Sequence, residues 1–292
     1  MTGTGKLKLK TGRTKMKILL LGYKGMLGHD LLTTLAPDHE VIGKDIEDFD
    51  IASLKDCRSI VSETDPDIVI NAAAYTDVDG CETNTETCFA VNAEGVNNIG
   101  LVCRDRNLKV VHFSTDYVFD GAKGEAYVES DTPNPINAYG RSKLQGELYL
   151  RALTDNYLII RTAWLYGKNG KNFIKAILAR AETGKLTVVN DQIGSPTYTV
   201  DLAAAVKLLI ENGHTGIFNV TNRGRCSWFE FAVKILEYAG KKDVDIQPIS
   251  TQELGRKALR PAYSVLSCNK FSAACCKALG FWQIALNDYL RS

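Results

Sequence analysis

The segment NAYGRSKLQGE, residues 137–147, carries a phenol at Tyr139 and an ammonium at Lys143, with no proline between them. On an α-helix, positions i and i+4 share a face, so both side chains can enter one space. An ammonium beside a phenol favours the phenolate and is expected to draw its pKa down from about 10. Such a phenol can protonate the oxygen that becomes an alkoxide when hydride reaches a ketone carbon. Upstream, FSTDYVFDG places Ser114, Thr115 and Asp116 after an apolar strand, with Thr115 positioned to hold the substrate oxygen. Each signal alone has an ordinary explanation: a YxxxK pair can be a surface contact, and STD can be an N-cap.

A hydride donor needs a binding site, and GYKGMLG offers one. Gly22, Gly25 and Gly28 follow the first apolar run and open the first helical stretch. A tight turn there needs positive φ, a pyrophosphate needs backbone without Cβ, and a helix N-terminus supplies unpaired N–H groups. The GxxGxxG spacing points to the short-chain dehydrogenase branch of dinucleotide binders. The next strand, HEVIGKD, ends near Asp45, whose carboxylate suits ribose hydroxyls and NADH, while adjacent Lys44 suits a 2′-phosphate and NADPH. Asp50 in DFDI reads either as an adenine contact or as an acid at a helix N-terminus. The alanines of NAAAYT, Ala72, Ala73 and Ala74, permit close approach of a ribose and equally suit helix–strand packing.

These residues require a particular scaffold. From Met16 the chain alternates β-branched runs with helical stretches: KILLLG, GMLGHDLLTTLA, HEVIG, ASLKDCRSIVSE, DIVINAA. Strands that are apolar without alternation are buried on both faces, which predicts a parallel sheet covered by helices. The pattern continues through a helix in TETCFAVNAEGVNNIGLVCRDRN, the strand KVVHFST, the helix around Tyr139 and the strand NYLIIRTAW at 156–164. Beyond Trp164 the elements NFIKAILARAETG, KLTVVND, DLAAAVKLLIENG, GIFNV and SWFEFAVKILEYAG imply a smaller, interwoven second lobe. The division expected is a dinucleotide-binding part over 16–165 with return elements at about 191–220, and a substrate lobe over 166–190 and 221–292.

Composition narrows the partners. The chain has 292 residues and a formal net charge of +1, which argues against nucleic acid or an anionic membrane as partner. Residues 1–15 carry five basic side chains and no acid, and read as a mobile extension. No run approaches the ~20 apolar residues of a membrane span, and ILLL at 18–21 is too short for a secretory signal. The eight cysteines form no CxxC and the four histidines no HExxH, so no zinc site is visible, and reduced, cytoplasmic thiols are expected. Adjacent Cys275 and Cys276 read as small buried side chains on a helix.

Taken with DIVINAAAYTDVDGCE, VNAEGVNNI, IIRTAWLYG, GKNFI, VVNDQIGSPTYT and RPAYSVL, these motifs resemble the dTDP-4-dehydrorhamnose reductases of the extended short-chain dehydrogenase/reductase superfamily, from about Met16 to about Leu266. The resemblance implies a Rossmann-like, doubly wound α/β fold, an NADPH or NADH cofactor and a sugar-nucleotide substrate. It implies cofactor contacts at Gly25, Met26, Leu27, Asp45, Asp50, Ile51, Ala72, Ala73, Ala74, Tyr139 and Lys143, with Phe113 nearby, and substrate contacts at Thr115, Asp116 and Trp164. An indole at a strand's carboxyl end also makes a flat wall for a deoxysugar, although core packing would select it too. Arg260 in RPAYSVL is read either as a diphosphate ligand or as a brace paired with an acid. Some members of the family bridge subunits through Mg2+ held by glutamates, including one close to the carboxyl terminus. This chain ends LNDYLRS, so that bridge lacks its ligand, with Asp30 and Asp201 as substitutes, and monomer and homodimer both stay open.

Rival activities fit these residues less well, and another sugar-nucleotide reductase or an epimerase is disfavoured more weakly, by the motif set as a whole. A sugar-nucleotide dehydratase of the same superfamily is expected to have an Asp-Glu pair after the threonine, and Tyr117 stands in the glutamate's place. A non-catalytic regulatory subunit, like that of methionine adenosyltransferase, would not need Thr115, Tyr139 and Lys143 together.

Overall fold

The computed structural model describes residues 15–292, so nearly all of the basic extension expected over 1–15 lies outside the described residues. The first part alternates β1 (Lys17–Leu21), α1 (Met26–Leu35), β2 (Glu40–Lys44), α2 (Leu54–Thr64), β3 (Ile68–Asn71), α3 (Val78–Thr83), α4 (Thr85–Phe89), α5 (Gly95–Asp105), β4 (Lys109–Thr115), α6 (Ala138–Leu153) and β5 (Tyr157–Thr162). After a short β6 (Leu165–Tyr166) come α7 (Phe173–Ala181), β7 (Lys185–Val189), β8 (Ile193–Gly194), β9 (Thr197–Tyr198), α8 (Thr199–Glu211) and β10 (Gly216–Asn219). The chain closes with β11 (Cys226–Ser227), α9 (Trp228–Tyr238), β12 (Asp245–Ile249), α10 (Thr251–Leu254), α11 (Asn269–Cys275) and α12 (Trp282–Arg291).

Six strands form one parallel sheet in the order β10-β5-β4-β3-β1-β2. Chain direction across the sheet reverses between β1 and β3, which opens a crevice at the strands' carboxyl ends. The period-2 geometry of each strand accounts for its continuous apolar run. Ile18, Leu20, Ile70, Val111 and Ile160 face α1 and α8, packing on Leu27, Leu31, Val206 and Leu209. Their neighbours Leu19, Leu21, Val69, Val110 and Ile159 face α2, α5 and Leu150 of α6.

A separate core unites α7, α9, α12 and β7 through Ile174, Phe231, Ile235, Trp282 and Leu286. There β7 pairs in parallel with β12, a strand with no counterpart in the sequence reading. Phe271 and Leu279, assigned by sequence to the second lobe, pack instead into the core beneath the main sheet.

Three local expectations are corrected. The helix expected over 85–107 is interrupted by a π-helical turn at Ala90–Glu94. Asn92 in that turn exchanges two hydrogen bonds with the Tyr75 backbone and donates to Ser142 Oγ at 3.1 Å. Inserting one residue into the helical ladder is what turns this amide inward. The strand expected to run to 164 stops at Thr162, and Trp164 takes φ +49°, which no strand accommodates. Finally, Cys276 is not buried on a helix: it ends α11 at φ +47° and is exposed.

Candidate active site

The glycine turn is as tight as its spelling implied. Gly22 has φ +77°, and a Cβ there would lie 2.7 Å from Ala73 N; one on Gly28 would lie 2.0 Å from Gly22 O. Gly25 caps α1 without a side-chain bond, leaving first-turn amides for an anion. Beside this turn is a hollow of about 460 Å³, with Gly22, Gly25, Asp45, Asp50, Ile51 and the three alanines 72–74 in its lining. Asp45 accepts from Lys24 N and Ile46 N, both at 2.9 Å, so its carboxylate is held at the rim. Asp50 is no helix cap; Ser53 caps α2, and Asp50 closes a turn on Ala52 N at 2.9 Å.

A second cleft of about 650 Å³ shares Gly25, Ala72 and Ala74 with the first and continues past Met26, Leu27, Gly28 and Phe113 to Thr115, Asp116, Tyr139, Lys143 and Trp164. The joined hollows suit an extended dinucleotide, with alanines where larger side chains would obstruct it. The helix α6 enters the cleft through its N-cap, Asn137, whose Oδ1 accepts from Gly140 N at 2.7 Å. Gly140 is needed because a Cβ would meet Tyr117 O at 2.1 Å, so the helix start lies directly on the Asp116–Val118 turn. One turn beyond Lys143, Glu147 forms a bidentate ion pair with Arg161 of β5, at 2.9 and 2.7 Å, with both side chains buried. That pair fastens the helix to the sheet.

The electrostatics differ from the expectation. Tyr139 and Lys143 do share the cleft, but the phenol's pKa is raised, first by burial and then by the Asp116 carboxylate, with Thr115 opposing. Lys143 is itself brought down to about 8 by burial, against the pull of Glu147. Its Nζ lies 3.3 Å from His112 Nε2 on the sheet side of the site. Desolvation therefore outweighs the neighbouring ammonium. Asp116 is pushed up to about 7 by burial, despite hydrogen bonds from Ser264 Oγ at 2.5 Å and Thr115 Oγ1 at 3.0 Å.

Trp164 lies flat on Trp228, with ring centroids 3.5 Å apart and planes 5° from parallel, and both line the cleft. Its left-handed backbone is an uncommon strain for so bulky a side chain, of a kind that gathers at functional sites. Arg260 grips Asp79 instead of entering the cleft, Nη1 to Oδ1 at 3.1 Å and Nη2 to Oδ2 at 2.9 Å, and it is absent from the cleft lining. Of its two readings, the brace is the one built. Asp30 and Asp201, the acids named for Mg2+, bond to Thr199 and Asn222, and among the described residues no cluster of three metal-ligating side chains occurs.

Sequence reasoning missed Trp228, Ser264 and His112. The S-x-x-E capping box formed by Ser227 and Glu230 marks where α9 begins, but not that its first residue faces Trp164.

The sheet order, the glycine turn and a helix presenting tyrosine and lysine to the same crevice define an extended short-chain dehydrogenase/reductase. Residues 16–292 match the family model described as the RmlD substrate binding domain. The spore coat polysaccharide biosynthesis protein SpsK of Bacillus subtilis (strain 168) is 42% identical over 277 residues, covering 94% of this chain and 97% of that protein. The dTDP-4-dehydrorhamnose reductase of Aggregatibacter actinomycetemcomitans is 36% identical, covering 93% and 97%. The crystal structure of dTDP-4-dehydrorhamnose reductase from Bacillus anthracis str. Ames in complex with NADP superposes with a TM-score of 0.92 at 38% identity, covering 95% of this chain and 99% of that one. The chain belongs to the dTDP-4-dehydrorhamnose reductase family.

Proposed function

We propose that the protein reduces the C4 ketone of dTDP-4-dehydro-L-rhamnose to dTDP-L-rhamnose, a donor for cell-surface polysaccharide, using NADPH or NADH. The observation that carries this reading is the convergence of Thr115, Tyr139, Lys143 and Trp164 in one cleft continuous with the glycine-turn hollow. Bound reduced nicotinamide supplies a hydride. Gly22, Gly25, Met26, Leu27 and Gly28 cradle the pyrophosphate, Asp45, Asp50 and Ile51 meet the adenosine, and Ala72, Ala73, Ala74 and Phe113 leave room along the dinucleotide.

Thr115 holds O4 of the sugar and Asp116 a neighbouring hydroxyl, while Trp164 supplies a flat wall. As negative charge develops on O4, Tyr139 gives it the phenolic proton. Because burial raises the phenol's pKa, the hydroxyl stays protonated until that oxyanion forms. Lys143 hydrogen-bonds the nicotinamide ribose and steadies the phenolate left behind. Arg260 acts through Asp79, holding the loop that carries Ser264 against the cleft. We assign 16–165 with 191–220 to the dinucleotide and 166–190 with 221–292 to the sugar nucleotide, apart from Phe271 and Leu279 in the core beneath the main sheet, and we place the enzyme in the cytoplasm, consistent with eight free cysteines. No helix among the described residues is long and apolar enough to cross a membrane.

The test follows absorbance of the reduced nicotinamide with and without the 4-keto sugar nucleotide. Substrate-dependent oxidation supports the reading. Bound nucleotide without oxidation would replace it with the regulatory one.

A further inference from the structure

The diphosphate of a sugar nucleotide is a double anion, and drawing it from water into a cleft needs a compensating cation or a row of N–H donors. Of the residues lining the catalytic cleft, only Lys143 and Lys171 bear cationic side chains. Lys143 is buried at the Tyr139 end, with its Nζ toward His112. Arg260 is held by Asp79 outside the lining. Lys171 remains. It is exposed and, among the described residues, makes no hydrogen bond or ion pair.

The loop that carries it is braced. Between β6 and α7, residues 166–175 read YGKNGKNFIK, three lysines without an acid. Lys175 Nζ, in the first turn of α7, donates to the carbonyls of Lys168 and Gly170 at 2.6 and 3.0 Å. Asn172, the N-cap, donates to Gly167 O at 2.7 Å and accepts from Lys175 N at 3.0 Å. Lys168 lies over the Tyr289 ring, 4.6 Å from its centroid. Two of the three ammonium groups are thus committed, and the third is left on the cleft. On one side the loop meets the glycine turn: a Cβ on Gly170, at φ +74°, would lie 3.8 Å from Met26 Cβ. On the other, Phe173 packs on Trp228 with ring centroids 4.5 Å apart, and Trp228 stacks on Trp164.

We propose that Lys171, on the β6–α7 loop, is the cation that binds the diphosphate of the sugar nucleotide. The proposal rests on the reductase reading and names a binding residue for its substrate. The dinucleotide's own pyrophosphate has the start of α1, where Gly25 leaves first-turn amides without a side-chain partner. The sugar nucleotide has no such helix end assigned to it and no other uncommitted cation in the lining. A lysine suits the task because its compact charge on a four-carbon stem stays hydrated until the anion arrives and can follow either phosphate. The loop's own bonds hold the backbone in place, so only the lysine side chain has to be ordered on binding.

The probe is dTDP itself, so the test does not depend on turnover. In calorimetric titrations of the full-length protein with NADP+ bound, Lys171→Met keeps the stem and removes the charge. It should weaken dTDP by about five- to tenfold and leave NADP+ affinity unchanged, and Lys171→Arg should restore most of the loss. Added salt should weaken dTDP more steeply in the wild type than in Lys171→Met. In turnover, the Lys171→Met defect should fall on KM for the 4-keto sugar nucleotide. Equal dTDP affinity in the wild type and a folded Lys171→Met protein overturns the proposal and leaves the reductase reading standing. A loss confined to NADP+ overturns it too, by giving the cation to the cofactor's pyrophosphate. A wild-type protein that binds NADP+ but no dTDP overturns the sugar-nucleotide reading and this proposal with it.

Discussion

The two hollows that meet at Gly25 are built differently. The glycine-turn hollow takes its lining from residues 22–91, the loops that follow β1, β2 and β3 and the helical turns next to them. The catalytic cleft takes its lining from residues 25–228, and Ser264 reaches it from behind. In the first, contacts are made by backbone and small side chains at turns whose geometry is local. In the second, Asp116, Tyr139 and Lys143 are displaced from their ordinary ionisation by burial that exists only after distant segments close over them. Binding surface can thus be encoded in turns, whereas tuned acidity needs the assembled molecule.

The sharpest way to break this contrast is Tyr139→Phe. It removes the proton donor and leaves the glycine-turn hollow intact, so turnover should fall by about 10²- to 10⁴-fold while dinucleotide affinity, by fluorescence titration, stays close to wild type. A parallel loss of affinity would show the two hollows to be one unit.

Next in size is Glu147→Ala, outside both hollows. It strands Arg161 as a buried unpaired charge, and chemical denaturation should register a loss of about 3–5 kcal/mol. Retained stability would mean that α6 is held by its apolar contacts alone.

Trp228→Ala removes the ring stacked on Trp164. KM for the sugar nucleotide should rise about tenfold, equivalent to the ~1.4 kcal/mol of one aromatic pair, with kcat little changed.

The most gradual effect is on stability against pH, at most about 1.4 kcal/mol per pH unit for one group. Asp116 has a folded pKa of about 7, above its ordinary 3.8, so its contribution is complete below 3.8 and is lost as pH rises toward 7. Lys143, brought from 10.5 to about 8, contributes in the opposite sense: stability is regained as pH rises from 8 to 10.5. Denaturation midpoints across pH should show the first slope in the wild type and its loss in Asp116→Asn.

Much of the glycine-turn hollow was legible because its signals are short-range. A glycine triplet after a strand, an acid at the end of the next strand and three alanines after the third each report a backbone requirement at their own position. The cleft was legible only in part. Tyr139 and Lys143 share a face through helical period, and Thr115 ends a strand, so their meeting could be foreseen. Their ionisation could not, because it depends on how much water the second lobe excludes and on an acid, Asp116, buried beside the phenol. Arg260 shows the same limit: its charge was visible, but its partner, Asp79, is 181 residues away. The π-helical turn at Ala90–Glu94 escaped because helix periodicity survives on either side of one inserted residue.

By itself, then, the order of residues determined the strands and helices, the parallel sheet they make and the turns that can face a dinucleotide, since these follow from propensities and spacings of a few residues. Only the tertiary structure decided that His112 lies under Lys143, that Trp228 covers Trp164, that Ser264 closes on Asp116, and that burial rather than the lysine governs the phenol. The physical reason is that desolvation and hydrogen-bond direction depend on what encloses a group from every side, and the enclosing residues come from parts of the chain that no local pattern connects.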